Sequence, residues 1–238
     1  MNGHNKHTDM ILAVAQAIGE DMRRQVAFVG GCTTGLLLTD DYTREQVRHT
    51  EDVDLIVHVL GQMGWADLQA TLRARGFKDI MADDQSPICA MALGELRVDF
   101  MPDDPAILGF SNRWYRQALD TAQDFPLTGE VCIRLVTPAY FVATKLEAYR
   151  GRGNNDPLSS QDIEDILNLF AGRHDLTEEI DAAPQEVKIY IAEQLGALLD
   201  DGDFDYAVQA AALGDASRED WIYERLELAI KQGMADAG

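Results

Sequence analysis

Arg48-His49-Thr50-Glu51-Asp52-Val53-Asp54-Leu55-Ile56-Val57 ends in an alternation of carboxylate and apolar side chains. Successive side chains of a strand point to opposite faces, so Asp52 and Asp54 become neighbours on one face while Val53 and Leu55 enter the other. Two like charges held that close repel unless a cation lies between them. Hard carboxylate oxygens suit Mg²⁺, with Mn²⁺ as an alternative ion. The economical reading of this strand is a divalent-metal site.

Upstream, Phe28-Val29-Gly30-Gly31-Cys32-Thr33-Thr34-Gly35 runs from a short apolar strand through paired glycines into an apolar segment, Leu36 to Leu38. Glycines there allow backbone N–H groups to approach a phosphate, with a helix N-terminus behind them. Downstream, Ile88 to Leu93 and Glu95 to Met101 read as a β-hairpin joined at Leu93-Gly94. In its second arm Val98 and Phe100 face one way, Arg97 and Asp99 the other, which makes Asp99 the natural third carboxylate. Each element alone has a plainer reading: a tight turn, a solvated acidic face, an exposed strand aspartate beside Arg97. Their order along the chain favours a site.

The combination of a Gly-Gly turn, Asp-x-Asp on the next strand and a later carboxylate resembles the nucleotidyltransferase superfamily, whose members share a DNA-polymerase-β-like core. More narrowly, Gly30-Gly31, Thr50-Glu51-Asp52-Val53-Asp54, Lys145-Leu146-Glu147-Ala148 with Arg150, and Asp162-Ile163-Glu164-Asp165 resemble the abortive-infection AbiE-type toxin nucleotidyltransferases. The likeness covers roughly residues 25 to 170. One departure is Gln161, where the family carries a basic residue. The resemblance implies transfer of a nucleoside monophosphate from an NTP to an acceptor hydroxyl, with release of pyrophosphate. Asp52, Asp54 and Asp99 would hold two Mg²⁺ ions, and Asp99 would help deprotonate the acceptor. Gly30, Gly31 and Thr33 would hold the phosphates, joined by Arg150 as a nucleotide contact. Lys145 would meet phosphate or acceptor, and Asp162 completes the catalytic set. The acceptor would be a tRNA end, a protein hydroxyl or a small molecule, and a cognate antitoxin is an implied partner. The alternative is a catalytically silent nucleotide-binding module or a regulatory, antitoxin-like subunit.

From the residues alone, Lys145 on an apolar helix face would snorkel to solvent. Asp162 and Asp165, three apart, share a helix face and would either orient Lys145 or Arg150 or sit as favourable charge at a helix N-terminus. His49 is a candidate substrate contact. His4, His7 and His174 lie in polar sequence, His58 ends an apolar strand, and no histidine spacing suggests zinc. Cys32, Cys89 and Cys132 are scattered in apolar surroundings and read as small buried residues in a reducing compartment.

The 238 residues are 46% hydrophobic, enough for a substantial core. No apolar run approaches a membrane span and the polar start lacks a signal-peptide pattern, so the expectation is a cytoplasmic protein without a membrane partner. Twenty basic against 41 acidic residues give a net charge of −21. Nucleic-acid affinity depends mainly on cationic contacts to phosphate, so an extensive nucleic-acid surface is not expected. Arg44, Arg48, Arg113, Arg116, Arg150 and Arg152 would still line a cleft.

Periodicity predicts a helix over Thr8 to Arg24, a strand over Gln25 to Val29, a helix over Cys32 to Thr39, and a polar loop over Asp40 to Thr50. A helix over Trp65 to Arg75, a strand over Phe77 to Met81, a helix over Ser111 to Leu119 and a strand over Val131 to Val136 follow. Thr137-Pro138 starts a helix that ends at Gly151, residues 152–157 form a connector, Ser159-Ser160 cap another helix, and the chain is helical from Pro184 onward. The fold class is α+β: a nucleotidyltransferase catalytic domain, residues 1–136, with a mixed, mainly antiparallel sheet flanked by helices, and a helical region, residues 137–238, closing the cleft.

Overall fold

Val26-Ala27-Phe28-Val29 carries apolar side chains on both faces and all four are buried, as a central strand requires. In the computed structural model, which describes residues 3–80, 89–152 and 155–235, this strand, β1 (Val26–Val29), lies inside a seven-stranded sheet. The others are β2 (Asp52–Val57), β3 (Lys78–Asp79), β4 (Ala90–Leu93), β5 (Leu96–Pro102), β6 (Gln123–Pro126) and β7 (Cys132–Leu135), in the order β3-β4-β5-β2-β1-β7-β6. The β2–β5 and β1–β7 pairs are parallel and the other four antiparallel, so the sheet is mixed and mainly antiparallel. Phe28, Leu55 and Phe100 are cross-strand partners, all fully buried, and this apolar row fixes the register.

The helices are α1 (Gly3–Arg23), α2 (Thr34–Leu37), α3 (Asp41–Gln46), α4 (Gly61–Ala74), α5 (Pro105–Leu108), α6 (Tyr115–Asp120), α7 (Pro138–Arg152), α8 (Gln161–Gly172), α9 (Leu176–Asp181), α10 (Gln185–Leu199), α11 (Gly202–Ala211) and α12 (Ala216–Ala235). They divide between two compact units. The first comprises Met1–Thr33 and Arg48–Thr137, the second Thr34–Val47 and Pro138–Gly238. In the first, α1, α4, α5 and α6 pack on the sheet, and Ile11, Val14, Ala15 and Ile18 of α1, at helical spacing, are fully buried. The second unit is all-helical among its described residues. No helix of the described residues is long and apolar enough to cross a membrane.

Several local expectations are corrected. The predicted polar loop over Asp40 to Thr50 contains α3, because Asp40 caps it: its carboxylate accepts the Thr43 N–H at 2.7 Å. A Cβ on Gly172 would lie 2.6 Å from Thr43 Cβ, so the α3–α8 contact requires glycine there. The helix expected over Cys32 to Thr39 is a 3₁₀ turn, Gly31–Thr33, followed by the single turn α2. Of Ser111 to Leu119 only the last five residues join α6, and strand β6 follows unforeseen. The Phe77 to Met81 strand shrinks to Lys78–Asp79, with Met81 outside the described residues, as is Ile88 of the hairpin's first arm. The hairpin itself forms: Leu93 faces Leu96 across Gly94, whose φ of 64° favours glycine. Gly153 and Asn154 of the connector also lie outside the described residues. Cys132, expected buried, is exposed, since it opens β7 on the strand's outward alternation, whereas Cys32 and Cys89 are buried.

Candidate metal centre and buried ion cluster

The parallel pairing of β2 with β5 sets Asp52 opposite Arg97 and Asp54 opposite Asp99. Carboxylates separated by 45 positions in sequence thereby share one face of two neighbouring strands. Asp52, Asp54 and Asp99 each offer an oxygen within 4.8 Å of the others, with Asp99 buried and the other two half-buried. Three hard oxygen donors at this separation fit a divalent ion of the Mg²⁺ or Mn²⁺ kind.

Gly30 is shaped to this cluster. It follows β1 with φ 81°, and a Cβ built on it would overlap the Asp54 carboxylate, whose Cγ lies 2.6 Å away. Only glycine lets the backbone pass so near the aspartate. Thr33 is turned inward: its N–H and hydroxyl donate to Gly30 O at 3.1 and 2.8 Å. Gly31 is buried at the start of the 3₁₀ turn.

Arg97 donates from Nε to Asp99 Oδ1 at 2.9 Å and from Nη2 to Asp99 Oδ2 at 2.8 Å. The hydrogen bonds to Asp99 raise Arg97's pKa above its ordinary value against the opposing effect of burial. Each Asp99 oxygen keeps a further lone-pair direction. Thr50 Oγ1 donates to Asp52 Oδ1. Burial, and after it the Asp99 charge, push the neighbouring Cys89 thiol up to about 12, so it stays protonated at neutral pH.

Lys145, Asp162 and Arg150 belong to the second unit. Lys145 does not snorkel. Its side chain is 8% exposed, and Nζ lies 3.0 Å from Asp162 Oδ1 and 2.7 Å from Asp165 Oδ2. The reason is the spacing already seen in sequence: Asp162 and Asp165 share the buried face of α8, which packs on α7. Desolvation opposes the lysine's charge, but Asp165 and Asp162 outweigh it and hold the pKa at about 12. Desolvation likewise acts to raise Asp162's pKa, and the Lys145 and Arg152 charges reverse this, leaving it lowered. Thr34 Oγ1 donates to Asp165 Oδ1 at 3.1 Å. Arg152, rather than the expected Arg150, pairs with Asp162, at 3.1 Å, whereas Arg150 lies 3.8 Å from Glu147.

The spacing of two between Arg97 and Asp99 already signalled their pairing on one strand face. Thr50's hydroxyl contact had no such signal. His7, although it lies in polar sequence, is 1% exposed. His49 stacks on His7 at 5.4 Å between ring centroids. No protein-family model matches the chain, and no curated protein matches its sequence.

Proposed function

We propose that the chain is a metal-dependent nucleotidyltransferase, moving a nucleoside monophosphate from an NTP to an acceptor hydroxyl. One observation carries this reading: three carboxylates from adjacent strands converge within 4.8 Å beside a glycine turn with no room for a side chain. When bound there, two Mg²⁺ ions would neutralise triphosphate charge and stabilise the attacking and leaving oxygens. Asp52, Asp54 and Asp99 supply the ligands. Gly30 keeps the path open beside Asp54, and Gly31 follows it as the second glycine of the phosphate turn. Asp99 accepts the acceptor's proton through the lone pairs that Arg97 does not engage. A tRNA end, a protein hydroxyl and a small molecule each suit an acceptor role; the net charge of −21 favours acceptors that need no broad cationic surface. A cognate antitoxin is the partner this family reading implies.

The resemblance gives Lys145 a phosphate contact. Its pairing with Asp162 and Asp165 supports a further duty, holding α7 and α8 in register.

A second reading, a catalytically silent nucleotide-binding or antitoxin-like module, draws on Arg97. Its guanidinium already engages both Asp99 oxygens and would compete with a metal there. Incubation with each labelled NTP and cell extract separates the two: label transferred to a macromolecule or metabolite supports the enzyme, whereas binding without transfer supports the module. Asp54→Asn keeps shape and removes one ligand charge. It should weaken Mg²⁺-dependent NTP binding about tenfold or more by calorimetry; equal affinity would remove Asp54 from the site.

A further inference from the structure

We propose that His7 is a positioning residue for the carboxylate cluster, setting Asp52 through Thr50; the inference rests on reading that cluster as a metal site. Asp52 needs such support. The β1–β2 ladder ends where Val29 meets Asp54, so Asp52 is paired on the β5 side only, opposite Arg97. Residues 47–50 before it form neither helix nor strand. The β5 ladder sets the backbone of Asp52 from one side, and contacts outside the ladder are left to hold its other side and orient its carboxylate.

Two adjacent residues of α1 do so. His7 Nε2 accepts the Thr50 N–H at 3.0 Å, which makes the imidazole neutral with its proton on Nδ1. Lys6 Nζ lies 2.8 Å from His49 Nε2, and the His49 ring lies nearly parallel to His7, 11° between planes. Successive residues of the approach segment are thus gripped by successive residues of one helical turn. Thr50, 8% exposed, passes the constraint on, because its hydroxyl donates to Asp52 Oδ1. That bond orients the carboxylate that Asp52 contributes to the cluster. Groups that hold a metal ligand in place typically govern metal affinity by about 10- to 100-fold, since ligands must sit within about 0.5 Å of the productive geometry.

The test is Mn²⁺ binding to the full chain without nucleotide, followed by the electron paramagnetic resonance of free Mn²⁺, with melting temperatures on the same preparations. His7→Phe keeps a buried ring and the stack on His49 but cannot accept from Thr50 N–H. His7→Gln places an amide oxygen where Nε2 stood. His7→Phe should weaken Mn²⁺ binding about tenfold and His7→Gln should return it to within about threefold of wild type. Wild-type affinity in His7→Phe, or equal weakening in both variants, would overturn the positioning role. Absence of Mn²⁺ binding by the wild-type chain is a different result: it removes the metal reading itself, and this inference with it. Should His7→Phe not fold, Thr50→Val, which keeps the β-branched shape and loses only the hydroxyl, carries the question. It should show the same tenfold loss, about the low end for such groups, and wild-type affinity there would equally overturn the relay.

Discussion

Lys145→Met is expected to destabilise the protein by about 3–5 kcal/mol, the usual cost of stranding a buried charge whose partner is removed. Two carboxylates are stranded here, with side chains 6% and 0% exposed. Asp162 would retain Arg152, whose side chain is 73% exposed and therefore well screened. Asp165 would retain the Thr34 hydroxyl among its partners. Urea denaturation should show a lower midpoint with an unchanged slope. Adding Asp165→Asn to Lys145→Met should recover a substantial part of the loss, because one stranded charge is then neutral. A lysine free to snorkel would give no such pattern, and a shift below about 1 kcal/mol would show the cluster to be solvated. The same cluster predicts the pH range of its contribution. Asp162 is lowered from 3.8, so its share is present above 3.8 and lost as pH falls through the folded value. Lys145 is raised from 10.5 to about 12, so its share is complete below 10.5 and lost as pH rises through about 12.

Gly30→Ala is expected to reduce the proposed nucleotidyl transfer by about 100-fold or more, comparable to losing one preorganised catalytic group. Two causes act together. A φ of 81° is strained for alanine, at about 1–2 kcal/mol, and the new methyl would displace the Asp54 carboxylate, whose Cγ lies 2.6 Å from its position. Metal affinity should fall with activity, because the displaced group is one of the three proposed ligands. Initial rates and Mn²⁺ binding on one preparation check this. A variant with wild-type rate would mean that Asp54 can move without consequence, and the carboxylate cluster would lose its claim to the chemistry.

The convergence of the three carboxylates was legible because a period of two is rigid: once Asp52, Asp54 and Asp99 are assigned to strands, their faces follow. The parallel register that sets Asp54 against Asp99 is not written locally, yet the apolar row of Phe28, Leu55 and Phe100 enforces it. Other features depend on partners remote in sequence. Helix α3 is six residues long, too short to stand by propensity alone, and needs the cap from Asp40 and the contact at Gly172. Lys145 looked like a candidate for solvent because the side chains of one helix do not reveal what packs over them; the α8 carboxylates decide it. His7 was unreadable for the same reason, its acceptor role arising from a loop 43 residues away.

The interleaving of the two units has a consequence for synthesis on the ribosome. Residues 34–47 leave the exit tunnel well before the 138–238 segment with which they group. Thr39 and Asp40 donate their N–H groups to Gly172 O, a carbonyl not yet made when they emerge. The early segment therefore cannot make these hydrogen bonds until more than half of the polypeptide has followed it. Closing so long a loop is a slow, entropically opposed event. Translation rate through the stretch encoding residues 48–172 thus sets the earliest time at which those bonds can form.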